Sequence, residues 1–181
     1  MTTRRDFMKL TAGSALMTLA PSVFARTILP KQNEGERILR LQNIHTGEKL
    51  SATYWADGDY IAEEIAAIDH VLRDHRSKEV MAMDRNLYDL LYTLQQQVEK
   101  AGSYQIISGY RSPASNSKLR KASNGVAKRS LHMRGKAVDI RLPGVELKHL
   151  RQAALNLRAG GVGYYPKSNF IHVDTGRPRF W

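Results

Sequence analysis

The stretch Ser130-Leu131-His132-Met133-Arg134-Gly135-Lys136-Ala137-Val138-Asp139 constrains the fold of this chain more than any other, because it sets a histidine in a basic loop and an aspartate on the apolar strand that follows. A second histidine, His172, comes later in Phe170-Ile171-His172-Val173-Asp174. His132 and Asp139 are too far apart to neighbour one another on a helical turn, but a loop residue and a strand residue converge where an adjacent strand brings the third. Two imidazoles and a carboxylate are ligand types that zinc accepts when it keeps one position open for water, the arrangement of a catalytic site. Cysteine is absent, which excludes a disulfide framework and a thiolate site and leaves imidazole and carboxylate to hold any metal. For each of the three taken alone, the alternative is a polar side chain satisfied in the core.

The segments around this stretch predict an α+β fold, an antiparallel sheet with helices packed on it. Residues 37–43 alternate as a strand, Thr46-Gly47 is a turn, and residues 50–55 return as the second arm of a hairpin. Ile61, Ile65, Ile68 and Leu72 recur at helical spacing, as do Leu87, Leu91, Leu94 and Val98 behind a capping Asp84, with Gly102 as a stop. A strand at 104–108, a small helix near 116–121 and a strand at 137–142 follow. A third long helix carries Leu147, Leu150, Ala154 and Leu157 and is ended by Gly160-Gly161, and residues 162–165 and 170–174 form a last hairpin. His45, His70, His75 and His149 lack the company of the other two histidines and read as surface or capping residues.

Ahead of the fold, Thr3-Arg4-Arg5-Asp6-Phe7-Met8-Lys9 and the apolar run from Leu10 to Ala20 resemble a twin-arginine export signal, with Val23 and Ala25 at the cleavage site. The run is shorter than the roughly 18 apolar residues that a spanning helix needs, so the expected mature protein starts at Arg26 with no transmembrane segment. The expected organisation is a signal at 1–25, a linker at 26–36 and one domain at 37–181. The chain carries a formal charge of +11, and removal of the signal leaves +9, a balance that favours an anionic partner. Between Lys100 and Val138 there is no acidic residue, while Arg111, Lys118, Arg120, Lys121, Lys128, Arg129, Arg134 and Lys136 line up as a cationic lip. Few aromatic residues accompany them, which argues against nucleic acid.

Taken together, Ser108-Gly109-Tyr110-Arg111-Ser112, Ser130-x-His132-x-x-Gly135-x-Ala137-x-Asp139, Gly160-Gly161-Val162-Gly163-Tyr164-Tyr165 and His172-Val173-Asp174 closely resemble the zinc peptidases of the D-alanyl-D-alanine carboxypeptidase, lysostaphin and hedgehog group. Within it the chain is most similar to the YcbK or MepK type of murein endopeptidase from Gram-negative bacteria, over about residues 37–181. The resemblance implies one zinc ion held by His132, Asp139 and His172, a periplasmic location, and the peptide cross-links of peptidoglycan as substrate. The stems of peptidoglycan carry free carboxylates, which the cationic lip would hold near the metal. A non-catalytic module that uses the same fold and metal to bind peptidoglycan or a partner protein is the alternative.

Arg111 follows a strand end and a glycine, a placement that presents its guanidinium to the metal. The resemblance gives it the role of holding substrate or stabilising the tetrahedral intermediate; the alternative is an ion pair with a buried carboxylate. Ser130 orients a ligand or fixes its loop. Many relatives place a Glu or Asp three residues before the last ligand, or a His two before it, where this chain has Asn169 and Phe170. Residues two apart on a strand share a face, so Asp174 is the candidate general base; otherwise it accepts a hydrogen bond from a ligand histidine or pairs with Arg177. The glycines of 160–165 have no Lys-Ser or Lys-Thr after them, so they allow close backbone approach rather than phosphate binding.

Overall fold

The alternation of residues 37–43 is the inward face of strand β1 (Arg37–Asn43), which buries Leu39 and Leu41 and turns back as β2 (Lys49–Ala56). The computed structural model describes residues 35–123 and 125–181, within one compact unit, Gln32–Trp181. The expected export signal, and the linker up to residue 34, lie outside the described residues. After the short β3 (Asp59–Tyr60) come α1 (Ala62–Val71) and α2 (Arg85–Gln97), then β4 (Tyr104–Ser108) and α3 (Pro113–Ala122). A 3-10 turn, Leu131–Arg134, leads into β5 (Ala137–Arg141). The chain continues through α4 (Leu147–Leu157), β6 (Gly161–Tyr165), β7 (Phe170–Asp174) and β8 (Arg179–Phe180).

One eight-stranded sheet results, in the order β3-β2-β1-β4-β5-β7-β6-β8. The fold is α+β as expected, but the sheet is mixed: β1 with β4 and β6 with β8 run parallel, and the other pairs are antiparallel. The crossover through α1 and α2 delivers β4 beside β1 in the same direction, as a parallel neighbour requires. Leu87, Leu91 and Leu94 of α2, Ile68 of α1 and Leu150 of α4 are fully buried in one core with Leu41, Ile106, Val138, Ile140 and Ile171 of the sheet. Each such side chain contributes roughly 1.5–3 kcal/mol of apolar burial. Among the described residues no helix is long and apolar enough to cross a membrane.

Two helix ends differ from the sequence reading. The helix α2 closes at Val98 with Glu99 at φ +48°, three residues before Gly102, and α4 closes on Arg158 at φ +51° rather than on Gly160. Gly160 answers to packing instead, since a Cβ there would lie 1.6 Å from the Asp174 carbonyl oxygen. Gly135 has both constraints: it ends the 3-10 turn at φ +65°, and a Cβ would lie 2.8 Å from the Ala82 carbonyl oxygen.

Asp84 caps α2 as expected, its Oδ1 accepting from the Asn86 N–H at 3.1 Å, while Oδ2 accepts from the Thr175 hydroxyl just beyond β7 at 2.8 Å. Asp84→Ala therefore removes a cap and a tether together. It is expected to lower unfolding free energy by about 1–2 kcal/mol, read as a lower urea midpoint with an unchanged slope.

Candidate metal centre

Strand register brings the ligand candidates together. Asp139 of β5 and His172 of β7 are direct cross-strand partners, and the 3-10 turn before β5 folds His132 over them. Ser130 caps that turn, its buried hydroxyl accepting from the His132 N–H at 3.3 Å, so it fixes the loop. His132 Nε2, Asp139 Oδ1 and His172 Nδ1 lie 3.2, 3.1 and 2.9 Å from one another, and all three residues are buried.

The outer contacts decide which atoms face inward. His132 Nδ1 is 2.7 Å from the Gly109 carbonyl oxygen, which only accepts, so Nδ1 carries the proton and Nε2 a lone pair. His172 Nε2 donates to Asp174 Oδ2 at 2.9 Å, leaving a lone pair on Nδ1. In these tautomers three acceptors converge on one point, which repels unless a proton on His172 or a metal ion sits between them. Their spacing fits a small ion, since tetrahedral ligands with bonds of about 2.0–2.1 Å lie roughly 3.3 Å apart. The residues present fit a zinc-type centre with an open fourth side.

Each carboxylate at this centre has its own arginine. Arg111 Nη2 donates to Asp139 Oδ2 at 2.6 Å and Nε to the Ser108 hydroxyl at 2.9 Å. Burial opposes ionisation of Asp139, but His132 and His172 outweigh it and hold the carboxyl well below the usual range. Burial pushes the His132 imidazole down; at His172 the hydrogen bonds to Asp139 and Asp174 overcome burial and push it up.

Asp174 departs from the general-base expectation. It shares the face of His172 as strand alternation requires, but it meets the ring nitrogen remote from the metal side and is fully buried. Its oxygens also accept from the Gly161 and Gly176 N–H groups and from both Nη atoms of Arg179, at 3.0 and 2.7 Å. The pairing arginine is thus Arg179 rather than Arg177. No lone pair is left for a water, and the contact with Nε2 fixes the orientation of the His172 ring.

The centre opens onto a cavity of about 520 Å³ whose walls include Arg111, Arg129, Tyr165, Phe170, Arg179 and Trp181. Among the described lining residues Asp139 has the only acidic side chain. Of the cationic lip, Arg111 and Arg129 reach this cavity, whereas Lys136 lies 3.7 Å from Asp84. His45 and His75 stack on each other at 3.9 Å away from the centre, and burial, Arg76 and His45 push His75 down to about 4. His70 and His149 are exposed. Arg179 and Trp181 escaped sequence reasoning because β8 is only two residues long and carries no periodic signal.

Comparison with known proteins agrees with this geometry. The family model described as peptidoglycan L,D-endopeptidase MepK matches residues 31–181. The chain is 48% identical over 145 residues to the peptidoglycan L,D-endopeptidase MepK of Escherichia coli K12, covering 80% of each chain, and equally to that of Shigella flexneri. It is 40% identical over 180 residues to a Haemophilus influenzae protein that also carries the MepK name, covering 98% of this chain and 95% of the relative.

Asp174→Asn separates an orienting carboxylate from a base. The change is expected to weaken metal affinity by about 10- to 100-fold, whereas loss of a base would leave affinity intact. In the metal-free protein, removing the anion disfavours the imidazolium, so the raised His172 pKa should fall in the variant, measured by NMR titration of the ring.

Proposed function

Because this chain belongs to the family of the peptidoglycan L,D-endopeptidase MepK, we propose that it is a zinc-dependent endopeptidase that hydrolyses peptide cross-links of peptidoglycan, with the metal held by His132, Asp139 and His172. The convergence of two imidazole nitrogens and a carboxylate oxygen at the floor of an open cavity carries this reading. Zinc, when bound, supplies Lewis acidity toward the scissile carbonyl and a water that ionises near neutral pH.

The chain's own groups do the rest. Gly109 and Asp174 hold the two imidazoles in the tautomers that face the metal. Arg111 holds Asp139 in place, and the cavity position of its guanidinium suits it to hold substrate as well. His132, Asp139 and His172 are themselves buried, which strengthens each of these electrostatic contacts. Arg129 and Arg111, in a cavity whose one acidic side chain is already paired, favour an anionic peptide such as a stem of peptidoglycan. Such a substrate lies outside the cytoplasmic membrane, and Arg4, Arg5 and the apolar run to Ala20 support export by the twin-arginine route to the periplasm.

Purified, zinc-loaded protein incubated with cross-linked muropeptides tests the reading: new amine termini are expected, whereas retention without cleavage would make the chain a binding module. His132→Ala, Asp139→Ala and His172→Ala are each expected to lose metal and hydrolysis together, by elemental analysis and chromatography of the products. Arg111→Lys makes one of the two guanidinium contacts at best. It is expected to lower metal affinity by about 10- to 100-fold and turnover with it.

A further inference from the structure

The cavity next to the metal centre contains a hydroxyl that is held in place and has a proton to give. Tyr165 lies on β6 two residues beyond Gly163, which pairs with His172, and Tyr165 itself pairs with Phe170. Strand alternation therefore puts Tyr165 on the face of the sheet that carries Asp139 and His172, and its side chain lines the same cavity as both. The ring stacks on Phe170 at 4.6 Å, and the Trp181 indole Nε1–H donates to its hydroxyl oxygen at 2.8 Å. An indole N–H only donates, so the Tyr165 O–H has to point away from it.

Trp181 is built in to make that contact. Its N–H donates to the Val162 carbonyl at 3.2 Å and its main-chain oxygen accepts from the Tyr164 N–H at 3.1 Å, which extends the β8 pairing along β6. Its ring lies over Gly163, where a Cβ would come within 2.7 Å, and sits 5.2 Å from the His172 ring. Among the other polar groups of the cavity, Arg111 pairs with Asp139 and Ser108, Arg179 pairs with Asp174, and the Ser130 hydroxyl accepts from the His132 N–H within its own turn. Ser123, Arg129 and Ser168 are exposed.

We propose that the Tyr165 hydroxyl, aligned by Trp181, is a catalytic hydrogen-bond donor that stabilises the oxyanion formed from the scissile carbonyl, with Trp181 as its positioning residue. This rests on the peptidase reading. The donor strengthens its bond as charge grows on the oxygen, so it acts on the transition state more than on the bound substrate.

Tyr165→Phe keeps the ring and its stack and removes only the hydroxyl. With zinc-loaded protein and a cross-linked muropeptide, kcat is expected to fall about 10²-fold with KM within about twofold, at unchanged metal content and thermal midpoint. A phosphinate analogue of the tetrahedral intermediate should lose affinity by a similar factor, while the cleaved product should not. Trp181→Phe should lower kcat less, and the double variant should be no worse than Tyr165→Phe alone, because the indole acts through the hydroxyl. A Tyr165→Phe kcat within about twofold of wild type, a loss confined to KM, or additive effects of the two substitutions would overturn the proposal. Failure of the wild-type protein to cleave at all would instead overturn the peptidase reading.

Discussion

The pairing of β5 with β7 is the constraint on which the rest of this molecule depends. On one face it sets Val138 against Val173 and Ile140 against Ile171, all buried; on the other it sets Asp139 against His172. A slip of one residue would turn the ligands into the core and the valines and isoleucines into the cavity, so the register carries a double penalty against error. Core packing and metal geometry are thereby one requirement. The third ligand is tied to the same strand, since the turn holding His132 is closed by Gly135 just before β5 begins.

Two ion pairs, each between a buried carboxylate and a part-buried arginine, then brace the candidate ligands. Asp139 has Arg111 and Asp174 has Arg179, each contact at 2.6 to 3.0 Å with further hydrogen bonds to the same groups. A buried carboxylate without such partners would take up a proton, and a protonated Asp139 would be a poor metal ligand. The arginines reach the centre from opposite sides of it along the chain, one after β4 and one within β8.

The convergence of His132, Asp139 and His172 was legible in the sequence, because residue type and spacing limit what the three are able to do together. The helical faces through Leu87, Leu91 and Leu94 were equally plain, since burial on one side of a helix imposes its period. Alternation also put Asp174 on the correct face. It could not say which ring nitrogen of His172 would meet it, because that depends on side-chain rotation rather than on strand period. The parallel pairs and β8 were hidden for another reason: pairing across a long crossover leaves no local pattern, and two residues are too few to show one. Glu99 and Arg158 took the left-handed positions expected of glycine, while Gly160 was needed for close packing.

The topology bears on how the metal enters. His132, Asp139 and His172 come from a turn and two strands, and β5 and β7 meet only after α4 and β6 have been laid between them in sequence. Contacts of that kind require closure of long loops and form slowly, in contrast to the adjacent ligand pairs of small zinc-nucleated domains. An unfolded chain presents the ion with separated single ligands of little affinity. For an ion held by these residues, folding would come first and binding would follow, adding stability only through mass action on a native sheet already assembled.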